Sequence, residues 1–290
     1  MTEGIHRAGA VALLGKPNAG KSTLMNRLLG WKLAIVSAKP QTTRSRILGI
    51  LTLEGAQLLL LDTPGMHAGT KPLNVALNEI VHEVADGCDV ALLLVDLTRG
   101  WCEDAAALAS RLTKKGTPLL IVGTKSDLAS ASAPEWPEDA PQPLRVCART
   151  GAGIEALLDR TLALLPESPP LYPEDELSDR PMRFLAGELV REAAFDVLEQ
   201  ELPYSLAVEV IEYDEKRPEL VRIRADLLVE RGSQKQIVIG RNGRVIKSIG
   251  VRARREIEKL VGCKVHLELW VKVEPKWSRR PNRLKSLGYT

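Results

Sequence analysis

The chain has 290 residues, 44% of them hydrophobic, 27% charged and only 4% aromatic, which suits two globular domains with aliphatic cores and excludes a disordered or fibrous chain. Net charge is +3 but unevenly placed: residues 1–177 carry 17 basic and 20 acidic side chains and residues 178–290 carry 23 and 17, so the later part is the one suited to an acidic partner such as nucleic acid. The four cysteines form no CxxC pair, and no apolar run reaches the roughly 18 residues of a membrane span, so a reduced, cytoplasmic protein without a structural zinc site is expected.

In chain order, GAVALL (9–14), LLLLD (58–62), VALLLVD (90–96) and PLLIVG (118–123) read as short buried strands. Helical patterns lie between them at 20–30, 72–86, 102–115 and 153–165. This alternation predicts an α/β domain with a mostly parallel sheet over residues 1–165. The Pro- and Ala-rich stretch 129–143 reads as an irregular loop. Residues 166–181 hold five prolines and several acids, and read as an interdomain linker.

The pattern then changes. Residues 182–200 are helical in period, 205–215 and 219–230 alternate like antiparallel strands, and 264–274 alternates again. QKQIVIGRNGRVIKSIGVRARREIEKLVG (234–262) reads as extended, then broken at glycines, then helical. A smaller α+β domain over 182–274 is expected, in the order α-β-β-loop-α-β, followed by a basic, Pro-broken tail at 275–290.

GKPNAGKS (15–22) follows a predicted strand and opens a predicted helix. That setting makes Gly15, Lys16, Pro17, Asn18, Ala19, Gly20, Lys21, Ser22 and Thr23 a phosphate loop. Glycines let backbone N–H groups wrap phosphate oxygens, and the helix N-terminus adds its positive end. Lys21 would bridge the terminal phosphates and Ser22 would ligate Mg2+. The pattern GxxxxGK[ST] arises by chance only about 0.01 times in a chain of this composition.

Two later stretches choose the nucleotide. LLLLDTPG ends a strand on Asp62, placed for a Mg2+ shell, followed by Thr63 and Pro64, with the Gly65 N–H free to approach a γ-phosphate. LLIVGTKSD places Thr124, Lys125 and Asp127 at another strand end. Guanine offers two adjacent donors, N1–H and the 2-amino group, and one carboxylate accepts both. Adenine offers an acceptor at N1, so Asp127 would reject it. Cys147, Ala148 and Arg149 follow a short extended stretch, where a backbone N–H can hold guanine O6.

GKPNAGKS, DTPG, TKSD and CAR resemble the first, third, fourth and fifth motifs of translation-factor-class GTPases, and AKPQTTRSRILGI (38–50) resembles the first switch of the Era family of bacterial GTPases. The resemblance implies a GTPase that uses Mg2+, with Thr43 rather than Thr42 closing on the metal and Lys21, Thr43 and Gly65 serving catalysis. It departs from the usual pattern at Thr124, where Asn is usual, and at Cys147, where Ser is usual. Met66 stands where many GTPases carry a Gln that orients water, so slow intrinsic hydrolysis is expected. Asn18 implies, by analogy with related GTPases, stimulation by K+. His67 as a base, and Arg44 and Arg46 as arginine fingers in cis, are set against an ordinary exposed loop.

GRNG (240–243) has the form of a KH-domain loop, which clamps about four nucleotides of single-stranded RNA beside an apolar groove. GxxG alone recurs by chance roughly 1.7 times here, so its context carries the reading. Lys235, Arg241, Arg244 and Lys247 flank it, and apolar residues including Ile239 alternate around it. Lys235, Ile239, Gly240, Arg241, Asn242, Gly243 and Lys247 are therefore the candidate RNA contacts. GRNGRVIKSIGVRARREIEKL and LELWVKVEPKW are similar to the KH domain and C-terminus of the Era family. That resemblance implies binding to the 3′ end of 16S rRNA, a part in 30S subunit assembly, a monomeric state and, for some members, contact with the inner membrane face. Trp277, Arg279 and Arg280 of the tail either meet RNA or stay solvated.

Overall fold

The computed structural model describes residues 6–37, 39, 42–66, 72–129 and 134–289. Two compact units divide the chain: one comprises residues 1–34, 43–69 and 77–179, the other 35–42, 70–76 and 180–290.

The first unit is built on strands β1 (Arg7–Gly15), β2 (Ile47–Leu53), β3 (Ala56–Asp62), β4 (Val90–Asp96), β5 (Leu119–Thr124) and β6 (Leu144–Arg145). Helices α1 (Lys21–Leu29), α2 (Pro72–Gly87, in this unit from Leu77 on), α3 (Glu103–Lys115) and α4 (Ile154–Leu164) alternate with them. The sheet order is β2-β3-β1-β4-β5-β6, parallel throughout except that β2 runs antiparallel to β3. All seven residues of β4 are buried, as a central parallel strand covered on both faces requires. β1 lies between strands that follow it in sequence on opposite sides, so the strand order reverses there. In such sheets ligands bind at the carboxyl ends of the strands beside that reversal.

Strand β2 was hidden in the sequence because its first four residues fall in the switch-like stretch 38–50. It pairs with β3 across the turn at Glu54 and Gly55, where Gly55 has φ 73°. The short apolar run ILGILTL ahead of a Glu-Gly turn is the feature that could have revealed this hairpin. Most of the expected linker is no free tether. Ala8 N–H donates to the Pro166 carbonyl, Ile50 N–H to the Leu177 carbonyl, and the Gln57 side chain accepts from both Leu171 and Tyr172 N–H. Residues 166–179 are bound by these groups to the first unit, because sheet-edge donors and a buried amide need partners.

The second unit contains α5 (Met182–Val197), β7 (Ala207–Arg217), β8 (Leu220–Val229), α6 (Gly232–Ile239), α7 (Arg244–Val261), β9 (Lys264–Val273) and α8 (Pro281–Ser286). β8 is central, antiparallel to β7 and parallel to β9. Residues 234–239, expected to be extended, are helical. Gln234 Oε1 accepts from the Glu230 and Arg231 N–H groups, capping the helix start, and Val238 is fully buried in the core. Local capping and one buried apolar contact outweigh the β-branched composition of QIVI.

The tail also departs from its expected exposure. Trp277 is fully buried and its indole N–H donates to the Ser205 carbonyl, so it packs inside the unit and presents no ring to RNA. Arg280 pairs with Glu274, while Arg279 is exposed. Ile35, from the early part of the chain, belongs to the core of this unit beside Ala186, Val190 and Leu206.

Candidate nucleotide site and nucleic-acid groove

The phosphate loop is shaped by the positions where glycine is required. Gly15 has φ 140° and a Cβ there would lie 2.4 Å from the Leu94 carbonyl oxygen; Gly20 caps α1 with φ 91°. Asn18 also takes a left-handed conformation, φ 62°. Lys21 is buried, and its ammonium donates to the carbonyls of Gly15 (3.1 Å) and Lys16 (3.0 Å), folded back over the loop. Lys16 pairs with Asp104 at 2.9 Å, and Thr23 is half-buried in the first turn of α1.

Three oxygens expected to meet a metal converge. Ser22 Oγ donates to Asp62 Oδ2 at 2.6 Å, Thr43 Oγ1 lies 3.4 Å from the same oxygen, and the two hydroxyls are 3.0 Å apart. Asp62 is fully buried, and its Oδ1 has no hydrogen-bond partner among the described residues. A buried, unpartnered carboxylate oxygen beside two hydroxyls fits a small hard cation such as Mg2+. Thr42 Oγ1 instead donates to the Lys39 carbonyl. Burial pushes the Asp62 carboxyl up to about 6, against the pull of Lys21, Ser22 and Thr43. Burial likewise drives Lys21 down to about 8, against the pull of Asp62.

Thr63 is held by a hydrogen bond from its hydroxyl to the Leu13 carbonyl at 2.7 Å. Pro64 and Gly65 are buried against the loop, and a Cβ on Gly65 would lie 2.4 Å from the Pro17 nitrogen. Met66 is half-buried and lines a cavity of about 140 Å³ between the phosphate loop and α3. His67 lies outside the described residues. Arg44 is fully buried rather than solvated, and Arg46 pairs with Asp179 at 3.3 Å.

At the base end, Thr124 Oγ1 donates to the Ala19 carbonyl at 2.8 Å, tying the fourth motif to the phosphate loop. Lys125 has φ 56° and pairs with Asp96 at 2.7 Å. Asp127 accepts from the Cys147 thiol at 3.1 Å and from Arg149. The thiol hydrogen bond holds the Asp127 carboxyl below its usual range, helped by Arg149. The Cys147 N–H already donates to the Ala152 carbonyl at 2.9 Å, so the contact to guanine O6 expected from this motif does not come from that group; half-buried Ala148 is the next N–H in the chain. Sequence reasoning missed the side-chain role of Cys147, and the substitution of Cys for the usual Ser was its only trace.

In the second unit, GRNG joins two helices, α6 and α7. Gly240 has φ 73° and a Cβ there would lie 2.4 Å from Val245 Cγ2; Asn242 and Gly243 are also left-handed, φ 52° and 73°. This curl exposes Arg241 and Asn242 at the tip. Lys247 is exposed one turn into α7, whereas Lys235 and Ile239 on α6 are half-buried, Ile239 against the core. Beside the loop, Ile246, Lys247, Val251 and Arg254 of α7 face Val265, Leu267 and Leu269 of β9 across a groove of about 400 Å³. An apolar floor with cationic rims suits single-stranded nucleic acid.

Residues 10–125 match the 50S ribosome-binding GTPase family, and residues 201–278 match the KH domain family. The GTPase Era of Stenotrophomonas maltophilia (strain R551-3) is 43% identical over 293 residues, covering 98% of both chains. That of Trichlorobacter lovleyi is 40% identical over 297 residues, covering the whole of both. Among solved structures, Era in complex with MgGDPNP and nucleotides 1506–1542 of 16S ribosomal RNA superposes with a TM-score of 0.90 at 37% identity, covering 98% of this chain and 99% of that one. A variant of Aquifex aeolicus Era bound to GDP and AlF4− gives a TM-score of 0.91, again at 37% identity with 98% and 99% covered.

Proposed function

The chain belongs to the GTPase Era family, and from that premise we propose that it hydrolyses GTP as a switch coupled to capture of the 3′ end of 16S rRNA, in assembly of the 30S subunit. The observation that carries this reading is the pairing, on one chain, of the Ser22–Thr43–Asp62 cluster with a GRNG loop set between two helices.

Ser22, Thr43 and Asp62 would hold Mg2+, which neutralises charge on the β- and γ-phosphates. Lys21 leaves the loop carbonyls for phosphate oxygens. The Gly65 N–H donates to the γ-phosphate, while Asp127 accepts from guanine N1–H and the 2-amino group. Water attacks the γ-phosphorus as the bond to the bridging oxygen breaks, giving GDP and phosphate. Met66 offers no polar group to orient that water, so unaided turnover is slow. Asn18, left-handed in the phosphate loop, is the residue on which K+ stimulation would rest. Met66 also favours a second reading, in which bound GTP is structural and RNA binding is the main activity.

One experiment separates the two. GTP turnover is measured with and without a short RNA copying the 3′ end of 16S rRNA, in K+ and in Na+. A variant carrying Arg241→Asp and Asn242→Asp runs alongside. Acceleration by RNA that the variant loses supports the coupled switch. Turnover indifferent to both RNA and variant supports the second reading.

A further inference from the structure

The guanine-selecting carboxylate of Asp127 already has two partners of unlike character. The Cys147 thiol donates to Oδ1 at 3.1 Å, and Arg149 Nη2 donates to Oδ2 at 2.5 Å. Cys147 is 2% exposed and locked in place: its N–H donates to the Ala152 carbonyl, its carbonyl accepts from Gly151 N–H, and its sulfur accepts from Thr150 N–H at 3.4 Å. The Arg149 side chain is 75% exposed and reaches Oδ2 from solvent. One partner is part of the frame and the other is free to leave.

Guanine presents two donors to that carboxylate, one for each oxygen. A thiol takes one lone pair of Oδ1 and leaves another for the base. A guanidinium on Oδ2 likewise takes one lone pair, but it also cancels the charge that makes the contact strong and crowds the oxygen that the second donor needs. We propose that Arg149 is a built-in competitor for guanine, displaced when nucleotide binds and restored when it leaves, and that Cys147 is the positioning residue that keeps Asp127 aimed meanwhile. The proposal rests on the guanine-nucleotide reading above. The Arg149–Asp127 pair gives the empty site a counter-charge, so release of GDP does not strand a bare carboxylate. Arg149 thereby lowers nucleotide affinity and speeds exchange by the chain itself.

Exposed ion pairs change an equilibrium constant by roughly 1.4- to 5-fold, which sets the size of the expected effect. Affinities for GDP, IDP and ADP, and GDP release rates, are compared for the full chain and for Arg149→Ala, Cys147→Ser and Cys147→Ala, at low and high salt (~0.05 M and ~0.5 M). Arg149→Ala is expected to bind GDP about two- to five-fold tighter at low salt and to release it more slowly. The gain shrinks at high salt, where the pair is screened, and is smaller for IDP, which lacks the 2-amino donor. Cys147→Ser retains GDP affinity, and Cys147→Ala loses several-fold. Unchanged or weaker GDP binding by Arg149→Ala at low salt overturns the competitor role. Equal GDP affinity in Cys147→Ala and the unaltered chain overturns the positioning role. A chain that does not prefer GDP over ADP sinks the guanine reading itself, and this proposal with it.

Discussion

A methyl group on Gly65 would lie 2.4 Å from the Pro17 nitrogen and 2.5 Å from its Cα, closer than any real Cβ contact. Both neighbours are backbone atoms of the phosphate loop, so relief must come from moving that loop or the Gly65 N–H. Displacement of a reacting group by about 1 Å costs on the order of 10²-fold in rate. Gly65→Ala is therefore expected to lower GTP turnover by about 10²-fold while GDP affinity changes far less. Single-turnover kinetics with parallel GDP titration checks this, and an unaltered rate constant would remove Gly65 from the catalytic set.

Among the elements, α7 and the tail answer to different forces. The GRNG tip carries Arg241 exposed beside the groove, without a share in the core. Replacing Arg241 and Asn242 by Asp should weaken RNA binding and flatten its salt dependence, by about one unit of slope for each phosphate that no longer meets a cation. The melting temperature should stay the same, which separates weakened binding from a damaged fold. The tail is held by Arg283, which bonds Glu209 at 2.7 Å and Glu274 at 3.0 Å. The bond from Arg283 holds the Glu209 carboxyl below its ordinary value of 4.5, against the opposing effect of burial. A carboxyl lowered in the folded state stabilises fully above its unfolded value and loses that contribution as pH falls through the folded one. Glu209→Gln should thus cost roughly 0.5–1 kcal/mol near neutral pH and progressively less as pH falls below 4.5. Urea unfolding across that range is the measurement, and a deficit constant with pH would contradict the ion-pair account.

At the scale of the whole molecule, the two units are not two consecutive stretches of chain. Residues 35–42 belong to the second unit although the strands on either side of them build the first. Ile35 is 1% exposed in the second core, Val36 N–H donates to Glu192 Oε1 at 2.8 Å, and the Lys39 ammonium donates to the carbonyls of Phe195 and Leu198 at the end of α5. Ile35→Ala should then destabilise the second unit by about 2–4 kcal/mol, as buried Ile-to-Ala changes do. Hydrogen exchange should report faster opening in α5 and α7 with β1, β4 and β5 unaffected. Loss of protection confined to the first sheet would refute this assignment of Ile35.

The candidate nucleotide site was legible in the sequence because its chemistry is local. Glycines at positive φ, a Lys-Ser pair at a helix start and carboxylates at or just past strand ends are each dictated by a few adjacent residues: Gly15, Lys21 and Asp62 stand at the ends of β1, α1 and β3, and Asp127 in the turn three residues beyond β5. The alternating pattern likewise foretold the parallel sheet, since period and length need no distant partner. What only the tertiary structure decided depends on residues far apart in sequence. Helix α6 is set by the burial of Val238, the burial of Trp277 by the Ser205 carbonyl 72 positions away, and the docking of 166–179 by unpaired groups such as Ile50 N–H. The bonds of Cys147 and Arg149 to Asp127, 20 and 22 positions earlier, are of the same kind. Short-range rules name the groups that need partners, and only folding brings the partners to them.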